Sequence, residues 1–215
     1  MKQNREVQPE KERKKKVRFI GITGGVGAGK SAILAYFSKM EKTKVMLADE
    51  IAHDLMKPGT SCYDRLKQCF VEEDIYLPDG NFDRGKMAQV IFSNQEKREQ
   101  LNAIVHPAVK EYVIQTAKQE REKGKLDLLI LEAALLIEEH YDEICEELWY
   151  IYTSEENREK RLMESRGYSR EKVRQIFDSQ LKEEDYRKHC KVVIDNNGSY
   201  EDACHQIDEK LHQQR

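Results

Sequence analysis

The sequence predicts an α/β fold, a parallel five-stranded sheet flanked by helices, and three observations carry that prediction. Short β-branched or aromatic runs alternate with segments of helical periodicity. One run, Leu126 to Leu131, is almost continuously apolar, as expected of a strand covered on both faces. A glycine cluster joins the first run to the first helical segment, the connection that opens a right-handed strand-helix crossover. A chain of 215 residues favours one domain with insertions over two equal halves.

The elements follow in order. Val17 to Ile22 is the first strand, closed by TGGVGAGKS and then by SAILAYFSKM, whose apolar positions recur at helical spacing. Lys44 to Leu47 is the second strand, with Asp49 at its end, and in the ADEIAHDLM that follows Ile51, Leu55 and Met56 share a helical face. Leu126 to Leu131, Leu148 to Tyr152 and Val192 to Ile194 supply the third, fourth and fifth. Segments 17–56, 126–153 and 182–215 thus form the core. Residues 57–125 contain turn chemistry at PGTS and LPDGNFD, then helical patterns in KMAQVIF and LNAIVHPAVKEYVIQTAK, and read as a helical insertion. In 154–181, Ser154 is a candidate N-cap and Gly167 breaks two charged helices, which is the pattern of a lid, although a plain solvated helix pair has the same pattern.

Residues 1–16 are basic and lack the apolar stretch of a secretory signal, while Glu6, Glu10 and Glu12 argue against a mitochondrial presequence; they read as a disordered tail. Basic and acidic residues number 37 and 40, a formal net charge of −3, which disfavours nucleic-acid binding driven by global positive charge. No apolar run approaches the ~18 residues of a membrane helix. The five cysteines are scattered without a CxxC pair, so neither a disulfide framework nor a zinc site is indicated, and a reducing cytoplasm is the simplest location. Nothing in the sequence implies an obligate protein partner.

The chemistry begins at GGVGAGKS, which satisfies GxxxxGK[ST] and sits between a strand and a helix, as that phosphate loop requires. Across Gly24, Gly27, Ala28, Gly29 and Ala32 the backbone can wrap close to phosphate, with amides and a helix N-terminus facing the anion. Lys30 reaches the β and γ phosphates, and the Ser31 hydroxyl can ligate the accompanying magnesium. No NKxD signature of a GTPase is present, and the chain is short for a motor ATPase, so an ATP-dependent kinase is favoured. Such an enzyme needs a carboxylate beside the acceptor hydroxyl, and Asp49 lies where ligands gather in α/β sheets. From spacing alone, capping of the next helix accounts for Asp49 equally well. A nucleoside or nucleotide kinase and a regulatory ATP-binding protein remain alternatives on the motif alone.

FIGITGGVGAGKS, LADEIAHDLMKPGT, DGNFDRGKMAQVIFSN, LNAIVHPAV, LEAALLIE, RLMESRGYS and VIDNNGS, in this order, resemble the dephospho-coenzyme A kinase family. The resemblance implies a P-loop fold with a helical acceptor-binding insertion and a lid. It also implies transfer of the γ phosphate of ATP, with magnesium, to the 3′-hydroxyl of dephospho-coenzyme A, the last step of coenzyme A synthesis. Asp49 matches the second acid of the family's DAD element and becomes the implied base; the first acid is Leu47 here. The family's second hydroxyl after the lysine is Ala32, and its PLLFE reads Ala134 to Glu138 without the proline and the aromatic.

The implied acceptor site draws on His53, Arg84 and His106, with Arg84 suited to clamping a pyrophosphate. His106 before Pro107 is also placed to cap a helix, and Asp83 to pair with Arg84. Glu132, at a strand end, is a candidate to orient a magnesium-bound water. Arg158, Arg161 and Arg166 are lid cations, of which Arg161 and Arg166 are the preferred phosphate partners. Asn196, Asn197 and Gly198 follow the last strand, where the family holds adenine, though NNG is also simply a good turn.

Overall fold

The computed structural model describes residues 17–213, so the basic tail lies outside the described residues. Five strands form: β1 (Arg18–Thr23), β2 (Thr43–Leu47), β3 (Leu128–Glu132), β4 (Glu147–Tyr152) and β5 (Val192–Asp195). They make one sheet of order β2-β3-β1-β4-β5, and every pairing is parallel. The glycine-bearing strand β1 is therefore central, and its carboxyl end opens on the crevice between β3 and β4.

Alternation along the strands divides the core. Ile20, Ile22, Ile130, Trp149, Ile151 and Ile194 pack against α1 (Lys30–Ser38) and α9 (Tyr200–His212). Phe19, Leu129, Leu131, Leu148 and Tyr150 face the opposite layer, which holds α2 (Ala48–Leu55), α5 (Gln95–Lys123) and α8 (Glu183–His189). The period of two places successive side chains on opposite faces, so both faces of the sheet are covered.

Residues 57–125 fold as α3 (Ser61–Cys69), α4 (Arg84–Ser93) and α5, with one antiparallel bridge between Tyr76 and Phe82. Their buried Leu66, Phe70, Ile75 and Met87 belong to the same apolar cluster as Phe19 and Leu131, so these helices share the core of the sheet. Pro107 lies inside α5, where it removes one helical N–H, and Gly124 ends the helix in a left-handed conformation with φ 62°. His106 is accordingly an interior residue of α5, not a cap.

After β4, Ser154 caps α6 (Glu155–Arg166) by accepting from the Asn157 amide, and Gly167 terminates it with φ 63°. Ser169 caps the following α7 (Arg170–Asp178) through the Lys172 amide. The two helices form a hairpin over the carboxyl end of β1.

Candidate active site

Between β1 and α1 the loop turns on Gly27 and Gly29, both with φ near +85°. At Gly29 an added Cβ would collide with the Asn196 side-chain amide, so this glycine is required by conformation and by crowding. Gly29 is the N-cap of α1 and brings no side chain to the helix end, and the first turn contains no acid. The first amides of α1 therefore remain available to an anion, and the helix dipole favours one.

A cavity of about 730 Å³ opens in front of this loop. Gly27, Ala28 and Gly29 form one wall, and Lys30, Ser31, Asp49, Glu132, Arg161 and Arg166 bring polar groups to it. Lys30 donates from Nζ to the Gly24 carbonyl at 2.6 Å and lies 3.8 Å from Glu132 Oε1. Burial lowers the Lys30 pKa below its ordinary value, while Glu132 and Asp49 act in the opposite direction. Burial raises that of Glu132, the Lys30 charge opposing and the Asp49 charge adding to it. Lys30 and Glu132 thus form a partly desolvated pair. Ala32 and Gly24 lie off the cavity wall, Ala32 exposed and Gly24 buried beneath the loop.

The structure corrects one detail of the second crossover. β2 stops at Leu47 and α2 starts at Ala48, so Asp49 occupies the first turn of a helix instead of a strand end. Leu47 is the N-cap residue and has no side chain able to cap, which removes the capping explanation for Asp49. Position 49 is an anion at the positive end of the α2 dipole. Four residues along the same face, His53 lines a second cavity of about 690 Å³ that also holds Lys57 and Arg84 among apolar side chains. Asp83 does not serve Arg84: its carboxylate caps α4 by accepting from the Gly85 and Lys86 amides at 2.9 and 3.1 Å.

His106 and Asp49 both line a third, smaller cavity of about 160 Å³. There His106 Nδ1 meets Glu139 Oε1 at 2.8 Å, and Lys110 donates to the Glu139 carbonyl at 2.8 Å. Glu139 escaped the sequence reading because it is brought to His106 only by packing of the 133–141 turn against α5.

The arginines of α6 separate. Arg166, exposed at the helix end, faces the first cavity. Arg161 also lines it, but donates to the Asn196 carbonyl at 2.8 Å and to Ala28 O and Thr153 Oγ1 at 3.4 Å. Asn196 and Gly198 are not among the cavity-lining residues. Asn196 is buried and donates from Nδ2 to Ala28 O at 2.8 Å, and Thr153 Oγ1 donates to the same carbonyl at 3.1 Å. Thr153, Asn196 and Arg161 converge on one carbonyl of the glycine loop and hold it from behind. Thr153 was also missed; its signal was a polar residue directly after a buried strand.

A parallel sheet ordered 2-3-1-4-5, with GxxxxGK[ST] between its central strand and the next helix and an arginine-bearing charged hairpin above it, defines a P-loop kinase. A protein of known structure from Thermus thermophilus superposes with a TM-score of 0.75 at 29% identity, covering 93% of this chain and 98% of that one. Campylobacter jejuni dephospho-CoA kinase shares the fold, with a TM-score of 0.63 at 21% identity over 91% of this chain and 96% of that one. The dephospho-CoA kinase family model matches residues 18–202, and the chain belongs to that family. The Carboxydothermus hydrogenoformans dephospho-CoA kinase is 35% identical over 189 residues, 88% of this chain and 90% of that protein.

Proposed function

We propose that this protein transfers the γ phosphate of ATP to the ribose 3′-hydroxyl of dephospho-coenzyme A, with Asp49 as the base. The observation that carries the reading is that Asp49 lies on the wall of two cavities at once, the phosphate cavity with Lys30 and the smaller one with His106. A carboxylate at that junction can accept the hydroxyl proton while the hydroxyl oxygen forms a bond to the γ phosphorus and the bond to the ADP oxygen breaks. Lys30 moves its donor from the Gly24 carbonyl to the phosphates and stabilises the charge carried to the leaving oxygen. Arg166 covers the transferred group from α6, and Arg161 keeps the loop in register.

The donors present suit magnesium. Ser31, Asp49 and Glu132 are hard oxygen donors, and among the described residues no cluster of three or more His, Cys, Asp or Glu forms an all-protein metal cage. That is the pattern of an ion bound mainly by nucleotide phosphates and water. Ser31 would ligate it directly and Glu132 through water; when bound, it neutralises phosphate charge. His53 and Arg84 fit the diphosphate and adenosine end of the acceptor, and the apolar wall of Met56, Phe82, Met87 and Leu101 fits its pantetheine arm. The reaction belongs to the cytoplasm in this reading; among the described residues no helix is long and apolar enough to cross a membrane.

A panel of acceptors with ATP tests the assignment. Dephospho-coenzyme A should be phosphorylated far faster than nucleosides, nucleotides or water. Comparable rates with a nucleoside would make the protein a kinase of another acceptor, and ATP hydrolysis alone would make it a regulatory ATPase.

A further inference from the structure

Val26, at the apex of the glycine loop, gives both of its backbone polar groups to the hairpin that follows β4. Its carbonyl accepts from Arg158 Nε at 2.9 Å, and its amide donates to Gln180 Oε1 at 3.2 Å. Arg158 Nη2 also donates to Gln180 Oε1, at 2.5 Å, so three groups close a ring. Arg158 is 7% exposed, and its guanidinium lies 4.2 Å from the centroid of Phe177. Its hydrogen-bond acceptors are a carbonyl and a carboxamide, where a structural arginine usually meets a carboxylate. The glycine beneath it has a matching reason: a Cβ on Gly25 would fall inside the Arg158 guanidinium. Gly25 occupies a variable position of the phosphate-loop pattern, and its φ is not in the left-handed region, so backbone conformation does not demand a glycine there.

We propose that Arg158 and Gln180 are positioning residues that clasp the phosphate loop from the hairpin side, with Gly25 as the seat for the guanidinium. A loop with glycine at 24, 25, 27 and 29 has a large conformational entropy to lose when phosphate orders its amides. The clasp removes part of that freedom beforehand and so strengthens nucleotide binding without touching the nucleotide. It also commits the Val26 amide to Gln180 instead of a phosphate oxygen. Arg158 comes from the first turn of α6, and Gln180 from the turn between α7 and α8, so both ends of the hairpin are tied to one residue of the loop.

The inference rests on the nucleotide half of the proposed function, and its test needs no acceptor. Isothermal titration with ADP, and with AMP as a ligand without a β phosphate, gives the dissociation constant and the bound fraction separately. Gln180→Ala removes the shared acceptor at a half-buried position and keeps every charge. It should weaken ADP binding about tenfold, the effect of one lost hydrogen bond, with full stoichiometry and unchanged AMP affinity. Gly25→Ala should do the same by displacing the guanidinium. The double variant Arg158→Met/Gln180→Ala should lose no more than the worse single variant, because the two side chains act as one unit. Unchanged ADP affinity in Gln180→Ala, with a loss only of stoichiometry or of melting temperature, would reduce the contact to packing. Arg158→Met should weaken ADP binding to a similar extent; weakening by Arg158→Met with normal ADP affinity in Gln180→Ala would make Arg158 a phosphate-facing cation and overturn the clasp.

Discussion

Lys30 occupies a partly buried position, with the Gly24 carbonyl and Glu132 as its partners. Burial dominates its lowered pKa, and the charges of Glu132 and Asp49 oppose that shift. Lys30→Ala should fold normally and lower turnover by at least ~100-fold, the order for losing one transition-state donor. Single-turnover phosphoryl transfer measures this, and near-normal transfer by a folded variant would remove the loop from the mechanism. Asp49→Asn keeps the shape at position 49 and loses the basicity, so turnover should fall ~100-fold or more while ATP affinity changes little. The contrary pattern, weak ATP binding with a normal rate at saturation, would make Asp49 a binding residue.

At the scale of elements, α6 carries two arginines with different tasks. Arg166 is exposed at the helix end and faces the cavity. Arg166→Ala should therefore lower turnover about tenfold with both substrates saturating, and leave the melting temperature unchanged. Arg161 spans Asn196, Ala28 and Thr153, so Arg161→Ala should lower the melting temperature as well as activity, which is the opposite of the result for a solvated helix arginine. Thermal melts of the two variants side by side separate these roles. Helix α5 is fastened to the edge strand β2 by Glu120, which accepts from Lys44 at 3.0 Å and from Lys123 at 3.1 Å. Those hydrogen bonds hold the Glu120 pKa below its ordinary 4.5, so the unfolded chain takes up the proton first as pH falls. The stabilisation is complete above pH 4.5 and is lost as pH falls through the lower folded value. Glu120→Gln should cost up to about 1 kcal/mol at pH 7, because both lysines are substantially exposed, and the gap to the parent should close in acid. Denaturant melts across pH 3 to 7 check the sign.

For the whole molecule, the phosphate cavity is walled by residues of α1, β2, α2, β3 and α6, so a ligand bound there stabilises the native state that brings them together. At 100 times its dissociation constant, ATP should add about 2.7 kcal/mol. For a chain of this size that corresponds to a rise in melting temperature of roughly 5–10 °C. The rise should be absent in Lys30→Ala, and a parent protein that shows no shift with ATP would argue against nucleotide binding at this cavity. Differential scanning fluorimetry is sufficient to read it.

The sequence by itself determined the five strands, their parallel arrangement and the phosphate loop, because each depends on local periodicity and on glycines at fixed spacing. It also placed Lys30, Ser31, Asp49 and Glu132 in one region, since all follow carboxyl ends of strands or the loop itself. Only the tertiary structure decided which charges face the cavity. Arg158 and Arg161 share a helical face with spacing that suits phosphate contacts, yet packing turns the first into the Val26 carbonyl, while the second lines the cavity and also donates to the Asn196 carbonyl. Glu139, Thr153 and Gln180 had no sequence signal for their partners, which lie 33, 125 and 154 positions away. Local pattern reports which face of an element is apolar; a contact between distant segments depends on how those faces dock, and docking is set by the packing of the whole core.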